Sequence, residues 1–369
     1  MSAHFPHSVS TDSISTDSKD SMKALIYTKS GAVDIVDRPE PTIQAPTDAI
    51  VRMLHASICG TDLHILKGDV PSIQPGVVLG HEGVGVVEAL GDSVKGLQVG
   101  DRVVISCMTC CGACRFCQRG MPSHCEDGGW VLGNRLDGTQ AEYVRVPHAT
   151  LSLHRLHDSL DSRAAVTLSD ALPTGLECGV LSANVQPGAS VVIVGAGPVG
   201  MAALLAARLY TPSLIVMVDL DDSRLAIART LGANHTVNSS APDAKDRLLS
   251  LTQGQGYDSV IEAVGIPATF TFCQELVAIG GRIANVGVHG TKVDLHLEKL
   301  WDRNISIHMS LCNATSTPRL LQLAESGMLD LSALVTHHFP FPEAATAYDT
   351  FKAASVHGAL KVALDFIHD

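Results

Sequence analysis

At 369 residues and a net charge of −12, the chain is too long for one ordinary hydrophobic core and too acidic for nucleic-acid binding, which needs clustered Lys and Arg. Hydrophobic residues make up 46% and charged residues 17%, which excludes a disordered chain, and no apolar run reaches the roughly 20 residues of a membrane helix. Only 4% of residues are aromatic while Gly, Ala and Val are common, so layered α/β packing in two domains is expected.

Residues 1–21 are rich in Ser, Thr and Asp and lack an apolar period, so a disordered tail is expected. The N-terminus has no basic-then-apolar signal segment, which predicts a cytoplasmic protein with reduced thiols. From Met22 to about Pro147 the pattern is β-rich: "AIVRMLHAS" and "VGVVEAL" lie between Gly, Pro and Asp turns. From Thr174 the rhythm changes to alternation. "SVVIVGAG", "SLIVMVDL", "DSVIEAVG" and "GRIANVGV" read as strands. "PVGMAALLAARLY" and "DSRLAIARTLGA" read as helices, the second ending at Gly232. Such alternation builds a parallel sheet with helices on both faces. Beyond Leu311, "PRLLQLAESGM" reads as a helix and "ALKVALDF" as a strand. No Pro/Ser-rich linker separates the halves, so a helix or tight turn should join them.

"VVIVGAGPVG" places Gly195, Gly197 and Gly200 in G-x-G-x-x-G spacing around Pro198 and Val199, after a strand and at the start of a helix. Gly195 permits the turn, Gly197 lets a pyrophosphate approach, and Gly200 lets helix and strand pack closely. Asp219, at the end of the next strand, can accept hydrogen bonds from a ribose diol and would repel a 2′-phosphate. Asp221 and Asp222 strengthen that preference and Arg224 opposes it, so NAD is expected over NADP. The bland alternative is a glycine turn without a ligand.

Residues 107–125 hold six of the ten cysteines. Cys111, Cys114, Cys117 and Cys125 follow at steps of 3, 3 and 8, which suits four thiolates around a structural zinc with no open position. An iron–sulfur cluster or a redox centre are the alternatives. Cys107 and Cys110 are left as bystanders. A second constellation comprises Cys59, Thr61, Asp62 and His64 in "CGTDLH", His81 and Glu82 in "GHEGVG", and Asp170 and Thr174 in "LSDALPTG". A thiolate, an imidazole and a carboxylate can hold zinc and leave a position for water or an alcohol. Each also has an ordinary reading: a buried Cys59, a core His81, a helix-capping Asp170.

"CGTDLH", "GHEGVG", "CGACRFCQRGMPSHC", "DGTQAEYV" and "VGAGPVG" occur in one order, and over residues 22–369 the chain resembles the zinc-dependent medium-chain alcohol dehydrogenases. The resemblance implies an α/β fold: a GroES-like β-rich catalytic domain (22–171 and 311–369) interrupted by a Rossmann domain (172–310), with catalytic zinc in the cleft between them. It puts the catalytic zinc ligands at Cys59, His81 and Asp170. Many relatives carry cysteine at the third position; aspartate is similar to the bacterial tetrameric secondary-alcohol branch and to some formaldehyde dehydrogenases. Glu82 becomes a transient fourth ligand, Thr61 the contact to the substrate oxygen and His64 the solvent end of a proton relay. Thr174 falls near the nicotinamide, Lys361 near the pyrophosphate and Gly287 among the cofactor contacts. Gly60 replaces a basic phosphate contact of some relatives.

Trp130 resembles a wall of the substrate pocket, with an ordinary packed aromatic as the alternative. The four-cysteine loop and the NAD signal depart from the secondary-alcohol branch. The implied protein binds two Zn2+ per subunit and NAD(H), acts on a small alcohol, aldehyde or ketone, and forms a homotetramer, or else a homodimer. The alternatives are a polyol or amino-alcohol dehydrogenase, a formaldehyde dehydrogenase and a catalytically idle NAD-binding protein.

Overall fold

The computed structural model describes residues 21–29 and 31–367. The expected tail lies outside these residues except for Ser21, which opens the first strand rather than closing the tail. Strands β1 (Ser21–Tyr27) and β2 (Val33–Pro39) form an antiparallel pair. The β-rich half continues with β3 (Ala49–Ile58), β4 (Gly83–Leu90), β5 (Arg102–Ile105), β6 (Tyr143–Val146) and β7 (Leu153–Arg155). The alternating half supplies β8 (Ser190–Val194), β9 (Leu214–Asp219), β10 (His235–Asn238), β11 (Tyr257–Glu262), β12 (Val277–Asn285) and β13 (Ser306–Met309). The chain then returns to the first sheet with β14 (Val335–Pro340) and β15 (Lys361–Asp365).

The first sheet runs β14-β15-β3-β4-β5-β7, with β6 also paired to β3. Its central strand, "AIVRMLHASI", is a near-continuous apolar run, and Ala49, Val51, Met53, Ala56 and Ile58 are fully buried. β15 lies antiparallel to β3 with Val362 opposite Ile58, so the last strand brings Lys361 to the end of β3 where Cys59 follows.

The second sheet is wholly parallel in the order β10-β9-β8-β11-β12-β13. Numbered from β8, this is the doubly wound 3-2-1-4-5-6 order, whose ligand crevice opens where the order reverses, beside the carboxyl end of the first strand. Val191 to Val194 of that strand are at most 3% exposed, as a strand covered on both faces requires. Burying each such side chain contributes roughly 1.5–3 kcal/mol.

The junctions between the sheets are packed helices. α1 (Gly60–Lys67) follows β3. α2 (Ala171–Thr174) runs on through a π-helical segment, Gly175–Leu181, which packs on α3 (Pro198–Arg208). A Cβ at Gly175 would sit 2.6 Å from the Ala203 nitrogen, so only glycine permits that approach. α4 (Asp222–Thr230) is capped by Asp221, whose Oδ1 accepts from Ser223 N–H at 2.8 Å. α5 (Thr317–Glu325) buries Leu320, Leu321 and Ala324 in the same core as α3.

Candidate functional site

Three short connections deliver the chemistry to one cleft. Cys59 follows β3 and opens α1, and its N–H donates to Asp62 Oδ2 at 2.9 Å. His81 and Glu82 directly precede β4, and Asp170 directly precedes α2. Asp170 Oδ2 lies 3.7 Å from Cys59 Sγ and 3.6 Å from His81 Nε2. Zinc bonds of about 2.0–2.3 Å give tetrahedral edges of about 3.3–3.8 Å, so this spacing and the S, N, O donor set fit zinc. Glu82 also lies within the group, all of whose ligand atoms are within 4.8 Å of one another.

Burial alone would raise the Asp170 pKa, but His81, Lys361 and the Thr174 hydroxyl hold it well below the usual carboxylate range. Burial opposes a charge on His81, yet Asp170 and Cys59 pull its pKa well up. Anionic donors that favour a proton there favour a metal cation for the same reason. Two buried atoms beside this set have no hydrogen-bond partner: His81 Nδ1 and Asp62 Oδ1. A metal-held imidazole ordinarily presents its second N–H to a hydrogen-bond acceptor, and among the described residues His81 Nδ1 has none.

The Glu82 carboxylate is fully buried and accepts from Ser57 Oγ and from Lys361 Nζ, whose ammonium also reaches the Ile58 carbonyl at 3.3 Å. The family resemblance implies Lys361 near a pyrophosphate and Glu82 as a transient fourth metal ligand. In the structure, instead, the two are closed on each other, because a buried carboxylate needs an opposite charge. Burial disfavours the Lys361 charge, but Glu82 outweighs it and the lysine stays protonated.

The cleft itself is a cavity of about 420 Å³. Cys59, Thr61, His64, His81, Trp130 and Asp170 line one side. Thr61 Oγ1 is 3.6 Å from Cys59 Sγ, and Thr174 Oγ1 donates to Asp170 Oδ1 at 2.8 Å. His64 sits at the exposed rim with Nδ1 2.9 Å from Asp69 Oδ2. Trp130 meets the His81 ring edge-on at 6.0 Å.

Gly197, Pro198, Val199 and Gly287 line the opposite side. Gly195 has φ +108° and makes the turn out of β8. A Cβ on Gly200 would fall 1.8 Å from the Gly195 carbonyl oxygen, whereas a Cβ on Gly197 would meet nothing within 4 Å. The chain itself therefore does not require glycine at 197; the open space over that backbone suits a phosphate on the α3 N-terminus. Asp219 accepts from Ala196 N–H at 2.6 Å and Asp221 N–H at 3.0 Å, which ties it to the glycine loop. Arg224 leaves its buried Nε without a partner.

The thiol loop is separate. Cys114 Sγ lies 3.5 Å from Cys117 Sγ and 3.9 Å from Cys125 Sγ, close to the edges of a zinc tetrathiolate. Backbone N–H groups of Cys111 and Cys114 donate to the sulfurs of Cys125 and Cys111, each at 3.3 Å. Cys110 is not in this donor group.

Sequence reasoning missed Ser57, which a buried Glu82 demanded as a partner, and the cysteines Cys178 and Cys312, which line the cleft with Cys107. No spacing links those three.

Residues 45–158 match the alcohol dehydrogenase GroES-like domain and residues 198–326 the zinc-binding dehydrogenase domain. An alcohol dehydrogenase of Cupriavidus necator is 36% identical over 93% of this chain and 98% of its own length. Zinc-dependent alcohol dehydrogenase 2 from Streptococcus pneumonia is 48% identical, with a TM-score of 0.90 over 94% of this chain and 99% of that one. An alcohol dehydrogenase from Thermus sp. ATN1 is 36% identical, with a TM-score of 0.87 over 94% of this chain and all of that one. With the doubly wound sheet, the glycine loop and both donor sets in place, the chain belongs to the zinc-dependent medium-chain alcohol dehydrogenase family.

Proposed function

We propose that the protein reversibly transfers hydride between a primary or secondary alcohol and NAD, giving an aldehyde or ketone. The observation that carries this reading is the Cys59, His81 and Asp170 donor set, which faces the open backbone of Gly197 across one cleft. These three residues would hold a catalytic zinc and leave a coordination position, while Cys111, Cys114, Cys117 and Cys125 would hold a closed structural one. When bound, zinc supplies a Lewis acid and the nicotinamide a hydride acceptor.

The chain's own groups then do three things. Thr61, beside Cys59, takes the alcohol proton as it gives up its own hydroxyl proton, and His64 at the rim exchanges the released proton with solvent through its second ring nitrogen. The glycine loop, with Pro198 and Val199, fixes the cofactor, Asp219 accepts from its ribose diol, and Thr174 and Gly287 border the nicotinamide. Arg224 stands beside Asp221 near the adenosine end. Trp130, Met108 and Val288 line the substrate space with apolar surface, which favours an apolar alcohol over a polyol or an amino alcohol. Glu82 and Lys361 act as a neutral buried pair behind the metal ligands.

We infer a homo-oligomer, a tetramer with a dimer as the alternative. In support, β13 is an edge of the second sheet among the described residues; its own Met309 and the preceding Leu297 and Trp301 are exposed, and an apolar edge of that kind favours pairing with a second copy. No described helix is long and apolar enough to cross a membrane. A cytoplasmic site is inferred from the reduced state that the clustered thiols need.

A screen of NAD- and NADP-linked oxidation across primary, secondary, aromatic and polyol alcohols, with metal analysis alongside, tests this. The expected result is NAD-preferring turnover of an apolar alcohol with two zinc ions per chain. Two bound zinc ions and bound NADH without turnover of any alcohol or carbonyl would favour an idle NAD-binding protein.

A further inference from the structure

A second group of donors lies at the floor of the cleft, and the reaction proposed above uses none of its thiols. Cys107 follows β5 from one wall and Cys312 follows β13 from the other. Their sulfurs and a carboxylate oxygen of Asp170 all lie within 4.8 Å of one another. The two cysteines are 1% and 3% exposed. Cys178, from the π-helical segment, packs in the same cluster and lies against the Cys312 thiol.

Backbone contacts fix these sulfurs in advance. Cys107 N–H donates at 3.1 Å to the carbonyl of Ser169, the residue before Asp170. The Glu177 carboxylate accepts from the N–H groups of Asn313 at 2.8 Å, Ala314 at 3.1 Å and Ser316 at 2.7 Å, which pins the segment that carries Cys312. Two thiols and a carboxylate held in this way suit a thiophilic d10 cation. Met108, Ala314 and Val286 surround them, so the ligands themselves must neutralise whatever charge enters. The thiolates of Cys107 and Cys312 balance one divalent cation, and the Glu177 carboxylate, with Oε2 3.8 Å from Cys312 Sγ, adds negative charge that favours a cation there.

We propose that Cys107, Cys312 and Asp170 form an inhibitory site for a thiophilic divalent cation such as Zn2+ or Cd2+, sharing Asp170 with the catalytic centre. On binding, each thiol loses its proton to solvent, two metal–sulfur bonds and one metal–oxygen bond form, and no electrons are transferred. The cation fills the floor of the substrate space and ties the two walls together. The inhibition rests on the alcohol dehydrogenase reading; the binding does not.

The test uses the full chain loaded with its two zinc ions and titrated with cadmium chloride. Metal per chain, thiolate-to-cadmium absorption in the ultraviolet and alcohol oxidation are followed together. The expected result is one cadmium gained without zinc lost, a new absorption band and loss of turnover. Cys312→Ser, Cys312→Ala and Cys107→Ser, shown to be folded by circular dichroism, should not take up the extra cadmium. Uptake only in exchange for zinc, or uptake undiminished in these variants, would overturn the site. Uptake with turnover intact would overturn the inhibition. Uptake by a protein that oxidises no alcohol would leave the site standing and remove the function proposed above.

Discussion

The 111–125 loop and the cleft around Asp170 both gather metal-binding side chains, but by opposite means. In the loop, Cys111 and Cys125 are only 14 positions apart, and the same short segment supplies the N–H groups that donate to the sulfurs. In the cleft, Cys59 and Asp170 are 111 positions apart and meet because the end of β3 and the start of α2 are folded against each other. The loop's donors are four alike and close a cation in. The cleft's are mixed and leave room beside the cofactor wall. Their charge states differ too. In the loop the backbone N–H of Cys117, with that of Glu126, lowers the Cys114 thiol to about 6, whereas burial pushes Cys125 up to about 12. In the cleft Asp170 is ionised by the charges around it, above all His81. A site built within a loop can hold the chain's shape; a site built between strands can be kept partly open, since the sheet carries its rigidity.

Removing one donor from each site breaks that comparison most sharply. Cys59→Ser or His81→Ala should lose one zinc per chain and at least roughly 10³-fold in turnover, since a Lewis acid supplies several kcal/mol and each 1.36 kcal/mol is tenfold. NADH binding, followed by fluorescence, should persist. Unchanged turnover in both variants would remove the catalytic role of the cleft.

Lys361→Met probes the support behind the cleft. It leaves Glu82 as a lone buried charge and should cost about 3–5 kcal/mol of stability in urea unfolding. Adding Glu82→Gln should restore most of the loss, and a single variant as stable as the parent would show that the pair is not structural. Cys117→Ala should open the loop and lower the melting temperature by several degrees, at about 2–4 °C per kcal/mol for a long chain, while turnover per folded molecule survives. Lost turnover with normal fold and zinc content would make the loop part of the chemistry. His64→Ala should have the smallest effect, about tenfold in turnover, recovered by added imidazole buffer because a relay at an exposed rim is replaceable by a diffusing base. Failure of the buffer to restore activity would place the proton exit elsewhere.

Much of the fold is legible in the sequence. The strands ending at Val194, Asp219 and Glu262 and the helices after Gly197 and Asp221 stand where apolar runs, glycines and caps place them. The short strands His235–Asn238, Ser306–Met309 and Val335–Pro340 are not, because four to six partly polar residues acquire strand character only from a neighbouring strand. α1 is likewise unmarked, since Gly60 and Thr61 are poor helix formers and the helix follows directly from β3.

The sequence by itself determined the strand–helix alternation, the glycine loop and the four-thiol loop, because each is written in contiguous residues whose spacing reflects local geometry. Only the tertiary structure decided that Lys361 closes on Glu82, that Asp62 and His81 each leave an unpartnered atom beside the metal ligands, and that Cys107 meets Cys312. These contacts join segments up to 279 positions apart, and nothing in the intervening sequence encodes them. They follow from β15 lying against β3 and from the connections after β5 and β13 meeting in one cleft, where low dielectric closes the Lys361 charge on Glu82.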